Sequence, residues 1–171
     1  AGNRSESGPG RVALVELYTR EGCSSCPPAE RRMDSLRDRP GLWREFVPVE
    51  FHVTYWDRLG WPDRFATPAF TQRQRDYAED WGSGGVYTPC FVRNGIEWKN
   101  RAVPGSVGAF AEGVGRLVLT LDEKSVCRVE FSPVGKAADN GVYDVHVAWI
   151  GGGFASRVTA GENRGEILHH E

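Results

Sequence analysis

Apolar positions fall into short runs whose period changes along the chain. Val12-Ala13-Leu14-Val15-Glu16-Leu17-Tyr18 is nearly continuous, the pattern of a parallel strand covered on both faces. After Cys26-Pro27-Pro28, Ala29, Met33 and Leu36 recur at helical spacing, and Arg39-Pro40-Gly41 supplies the stop. Phe46 to Val53 predicts a second strand, with Pro48 marking its beginning or a sheet edge. Thr67-Pro68 provides a cap and a first-turn proline for a second helix, one face of which carries Phe70, Tyr77 and Trp81. Ser83-Gly84-Gly85 ends it. Phe91-Val92 and Ile96-Glu97-Trp98 flank Asn94-Gly95, a hairpin signal. Val107, Phe110, Val114, Leu117 and Leu121, at three- and four-residue steps, predict a final helix weakened by Gly108, Gly113 and Gly115.

Strand, helix, strand, helix, hairpin and helix make an α/β architecture: a mixed sheet with helices on both faces, in thioredoxin topology. That domain is expected over residues 11–121, behind a polar, flexible segment at 1–10. Beyond 122 the period becomes two. Cys127, Val129 and Phe131 share one face, as do Tyr143, Val145, Val147 and Trp149. Residues 122–171 are therefore expected to form a small antiparallel β unit packed on the first domain. Its last residues, Ile167 to His170, read as the start of a strand, so the unit is expected to be truncated.

Composition narrows the function classes. A chain of 171 residues holds one domain with a modest appendage. A formal charge of −2 leaves no footprint for nucleic acid or an anionic membrane surface. No apolar run approaches the roughly 18 residues of a membrane span. The N-terminus lacks the hydrophobic stretch of a signal peptide.

Four cysteines are too few for a stapled scaffold, and two of them lie close together. Cys23-Ser24-Ser25-Cys26 follows a strand and opens a helix, the setting of a redox CxxC motif. A helix N-terminus stabilises a thiolate and lowers its pKa. Cys23 is expected to be the exposed attacking thiol and Cys26 the sheltered resolving one. Pro27 and Pro28 remove two donors that would otherwise reach the sulfur.

Thr88-Pro89 precedes the hairpin, where this topology places a cis-proline opposite the CxxC loop, with Thr88 presenting backbone to an extended substrate. Cys90 is open between a third redox thiol, a metal ligand and a small core side chain. Cys127 is expected to be a buried, inert thiol. Glu16, a carboxylate in an apolar strand, would relay a proton to or from Cys26 if buried, or lie at an edge in water. His52 ends the second strand as a structural histidine or a ligand beside the cysteines. His146 is expected in solvent, and His169 and His170 carry no assigned role. Tyr55, Trp56 and Trp61 form a substrate-facing wall, a lid or core.

Four stretches, VELYTREGCSSCPPAE (15–30), FHVTYWDRLGWPDRFATPAFTQRQRDYA (51–78), VYTPCFVRNG (86–95) and GENRG (161–165), resemble the bacterial and plant family labelled domain of unknown function 1223. The resemblance implies a thioredoxin fold, export to the periplasm or outside the cell, and a redox role. By position it carries over to Cys23, Cys26, Thr88 and Pro89. Thr54 stands where relatives often have Asp, and Cys90 where Gln is frequent.

These readings lead to a thiol–disulfide oxidoreductase acting on protein or small-molecule disulfides, with no organic cofactor. Two alternatives stand beside it. One is a copper- or zinc-binding and delivery protein using Cys23 and Cys26 with Cys90 or His52. The other is a binding module whose disulfide merely staples the loop.

Overall fold

The computed structural model describes residues 3–99, 113–135 and 141–170. Its centre is β2 (Ala13–Thr19), buried along nearly its whole length. Parallel to it lies β3 (Phe46–His52), reached through α1 (Pro27–Asp34). On its other side β4 (Cys90–Arg93) runs antiparallel, followed by β5 (Ile96–Glu97), giving the order β3-β2-β4-β5. Pro48 is tolerated because β3 is an edge strand. The β4–β5 turn uses Asn94 and Gly95, both at positive φ, as the Asn-Gly pair predicts. Between β3 and β4 runs α2 (Pro68–Asp80), where the Thr67 side chain accepts from the Phe70 N–H.

Strand alternation divides the core in two. Ala13, Val15 and Leu17 face α1 and pack with Ala29, Met33, Leu36, Phe46 and Phe91. Tyr18 lies on the opposite face with Val53, Cys90 and Val92, covered by Phe51, Tyr55, Tyr77 and Trp81. Every polar residue of β2 and β3 is thereby assigned to one face or the other.

Several expectations need correction. Residues 3–6 are not a flexible lead-in but β1 (Asn3–Glu6), paired antiparallel with β6 (Gly115–Leu121). Leu117 and Leu121 therefore lie in a strand rather than a helix. The run Leu117-Val118-Leu119-Thr120-Leu121 is equally compatible with period two, and neighbours on both sides decide the matter. Val107 and Phe110 of the expected helix lie outside the described residues. Among the described residues β7 (Cys127–Pro133) pairs with β6 alone, so that β1-β6-β7 form a second sheet spanning the expected boundary at 121/122.

Cys127 is exposed, not buried, because it starts an edge strand whose face is only half covered. Residues 141–150 form no strand. Their alternation is real, but a ladder needs a partner, and none pairs with them among the described residues. Val142, Val145, Val147, Trp149 and Ile150 are exposed, while the Tyr143 ring meets Phe131 edge-on. The last part of the chain is a hairpin of β8 (Phe154–Arg157) and β9 (Ile167–His170), with β9 packed against α1.

Candidate functional site

The CxxC loop joins the end of β2 to the start of α1. Cys26 is the N-cap residue and Pro27 and Pro28 fill the first turn, where N–H groups have no helical partner to lose. All four cysteines are free thiols. Cys23 retains only 9% exposure and Cys26 none, so Cys23, expected to be exposed, is buried as well, and only the order of the two thiols is as expected.

Hydroxyl groups replace the donors removed by the two prolines. The Ser25 Oγ lies 3.2 Å from Cys23 Sγ, and the Thr88 hydroxyl donates to the same sulfur at 3.4 Å. Hydrogen bonding from Cys26, with help from Ser25 and Thr88, brings the Cys23 pKa down to about 5 against the opposing effect of burial. The bond to Cys23 and burial push the Cys26 thiol far up. Thr88 is thus a direct neighbour of the reactive sulfur, and the Thr88–Pro89 peptide bond is cis.

The carboxylate on the Cys26 side is not Glu16. Position 16 has the parity of Tyr18 and faces α2, where Arg73 Nε donates to it at 2.8 Å, Tyr77 at 2.9 Å and Tyr18 at 3.3 Å. Glu30, not Glu16, is the carboxylate placed on the Cys26 side. It follows Cys26 by four residues, one helical turn on the same face. Thr19, at the end of β2 on the α1 side, donates to Glu30 Oε1 at 2.6 Å and lies close enough to Cys26 to act on its thiol. Burial pushes the Glu30 carboxyl up to about 7. The Thr19 hydroxyl therefore lies between the buried thiol and a carboxyl group whose pKa burial raises to about 7.

Beyond Glu30 lies a buried polar cluster. Glu50 and His52, two apart on β3, share the α1 face. His52 Nδ1 is 2.7 Å from Asp63 Oδ2, which also accepts from the Glu21 N–H at 2.8 Å. His170 on β9 places Nε2 3.1 Å from Glu21 Oε1, and the Trp61 ring N–H donates to Glu21 Oε2 at 2.8 Å. The two imidazoles meet edge-on, 4.9 Å between centroids, with Phe65 against both. Trp61 thereby belongs to this scaffold, while Tyr55 donates to Gln74 on the α2 side.

The C-terminal hairpin also holds the reactive loop. Asn163, between β8 and β9, donates to the carbonyls of Glu21 at 2.7 Å and Cys23 at 2.9 Å. Glu162 accepts from the Ser24 N–H at 3.0 Å. The resemblance over GENRG included both residues, but no local pattern in the sequence linked them to the CxxC loop.

Cys90 is turned away into the apolar cluster around Tyr18 and Val92, and burial raises its pKa to about 11. Among the described residues, Cys23 and Cys26 converge on neither Cys90 nor His52 as a three-ligand set. His146 is exposed, as expected of a solvated side chain, and His169 is exposed as well. Glu30, Glu50 and His170 went unassigned in the sequence. The available signals were the i, i+4 spacing of Cys26 and Glu30 and the alternation in Glu50-Phe51-His52.

A family model described as "Protein of unknown function (DUF1223)" matches residues 14–171. No curated protein matches the chain. Among solved structures, the chain is similar to the crystal structure of protein AGR_C_4864 from Agrobacterium tumefaciens, with 39% identity and a TM-score of 0.44. The match covers 48% of this chain and 35% of that one. No helix among the described residues is long and apolar enough to cross a membrane.

Proposed function

The chain belongs to the DUF1223 family of proteins of unknown function, and since that description carries no activity, we propose one from the site itself: thiol–disulfide exchange on a thioredoxin-like fold. The observation that carries it is the pairing of an acidified Cys23, the less buried of the two thiols, with a fully buried Cys26 whose neighbour Thr19 donates to Glu30. The sheet order β3-β2-β4-β5, with β3 parallel and β4 antiparallel to β2, supports the fold assignment.

The Cys23 thiolate attacks a substrate disulfide, forming a mixed disulfide and releasing one substrate thiolate, which takes a proton from water. Cys26 then passes its proton through the Thr19 hydroxyl to the Glu30 carboxylate. The resulting thiolate attacks Cys23 Sγ and expels the second substrate thiolate. Substrate gains two electrons and the cysteine pair becomes a disulfide. An external dithiol restores the reduced pair, and with an external disulfide the same steps run in reverse. Thr88 offers backbone to an extended substrate chain, as a sheet edge does. Location in an exported compartment is part of this proposal.

The test is trapping. Cys26→Ser incubated with glutathione disulfide should accumulate a stable adduct on Cys23, whereas the parent chain should resolve it to an internal disulfide. Absence of the adduct, or an equally stable adduct in the parent chain, would contradict the exchange mechanism.

A further inference from the structure

Glu50, His52 and His170 form a cluster that thiol exchange leaves unexplained. One ligand atom from each lies within 4.8 Å of the others. Side-chain exposures of 11%, 5% and 7% place all three in the interior. Both Glu50 oxygens and His170 Nδ1 are buried without a hydrogen-bond partner. Glu50 Oε2 has the two imidazoles only at ion-pair distances of 3.7 and 3.9 Å, too long for hydrogen bonds, so a buried carboxylate and a buried ring nitrogen meet without the bonds that ordinarily satisfy them.

The surrounding residues specify what would satisfy both. Asp63 holds Nδ1 of His52, which leaves Nε2 facing Glu50 Oε2 at 3.9 Å. Glu21 holds Nε2 of His170, which leaves Nδ1 facing the same oxygen at 3.7 Å. Each imidazole is thus oriented by a carboxylate on one nitrogen while the other points into a common space. This is the carboxylate–histidine arrangement that surrounds protein-bound metal ions. Two ligands at zinc bond lengths across a tetrahedral angle are about 3.3–3.5 Å apart, so ligand atoms up to 4.8 Å apart must draw together by as much as about 1.5 Å.

We propose that Glu50, His52 and His170 bind one divalent transition-metal ion, zinc in preference to magnesium or calcium. Two imidazoles and one carboxylate are borderline ligands that suit zinc, whereas the harder ions take oxygen donors almost alone. The ion ties the edge strand β3 to the terminal strand β9. Through the β8–β9 hairpin it steadies Asn163 and Glu162 against the CxxC loop. The site contains no cysteine, so its existence is independent of the exchange reading.

The test uses the full chain carrying Cys23→Ser and Cys26→Ser, which removes thiolate binding at the loop. Equilibrium dialysis against zinc should give one ion per chain. His170→Ala should weaken binding at least about a hundredfold and His169→Ala should leave it unchanged. Should His170→Ala misfold, ring-nitrogen NMR of the parent chain still decides. Among four histidines, zinc should move His52 and His170 and leave His146 and His169 in place. No stoichiometric uptake, uptake that survives His170→Ala, or zinc-dependent shifts confined to His146 or His169 would each overturn the site.

Discussion

The two faces of the central sheet each bury a glutamate and a cysteine, with opposite consequences. On the α2 face Glu16 is held by a guanidinium and two phenols, and Cys90 sits among apolar side chains. On the α1 face Glu30 accepts from the Thr19 hydroxyl, which also neighbours Cys26. A buried carboxylate with a cationic partner is a structural element. One supported only by a neutral donor retains a proton to higher pH and can exchange it. Burial is common to both faces; the partner differs, and with it the chemistry.

The largest expected contrast is between the cysteines. Cys23→Ser should reduce exchange to background, while Cys90→Ala should leave the rate within about twofold, since it alters only packing. A turnover assay with an aromatic disulfide measures both. Substantial loss in Cys90→Ala would mean that the α2 face takes part in the chemistry.

The glutamates come next. Glu30→Gln removes the proton acceptor and should slow resolution of the mixed disulfide by about a hundredfold, with little change in its formation. Glu16→Gln should leave both steps intact. It should instead lower stability by about 1–3 kcal/mol, measured by urea unfolding, because Arg73 loses its partner but remains 42% exposed to water. Reversal of these two phenotypes would exchange the roles of the faces.

That the carboxylate is Glu30 and not Glu16 shows how far the sequence could be read. Strand, loop, helix and hairpin around Cys23, Cys26 and Pro89 were legible because period, proline and Asn-Gly are local signals. Glu16 attracted attention because a charge in an apolar run is conspicuous. Its face depends on parity relative to Thr19, which only the registered sheet makes visible. His170 was hidden for another reason. Its partners Glu21 and Glu50 are more than a hundred residues away, and no local pattern encodes that contact. The helix expected through Leu121 failed because three- and four-residue spacing also fits a strand when β1 and β7 supply neighbours.

Alkylation would sharpen the thiol contrast. In a Cys127→Ser background, which removes the exposed thiol, Cys23 should react with iodoacetamide along a curve with its midpoint near pH 5. Cys90 should remain inert through pH 9, its own pKa lying near 11. Mass spectrometry distinguishes the two sites.

Stability should follow the Glu30 proton. Its folded-state pKa of about 7 exceeds the ordinary 4.5, so the native state binds this proton more tightly than the unfolded chain. That contribution is complete below about pH 4.5 and is lost as pH rises through 7, amounting to about 3 kcal/mol. Urea midpoints of the parent chain should fall across this window relative to Glu30→Gln; parallel curves would contradict the assignment. The smallest effect belongs to Asn163→Ala. Loss of its two bonds to the loop carbonyls should cost about 1 kcal/mol each and raise amide exchange at residues 22–25.

The central claim is that Cys23 and Cys26 form a switchable pair, and a glutathione redox titration with thiol trapping tests it most directly. The account predicts a reversible two-electron transition between about −120 and −270 mV, abolished in Cys23→Ser. A bond that stays oxidised below about −300 mV would make the pair a structural staple and contradict the account.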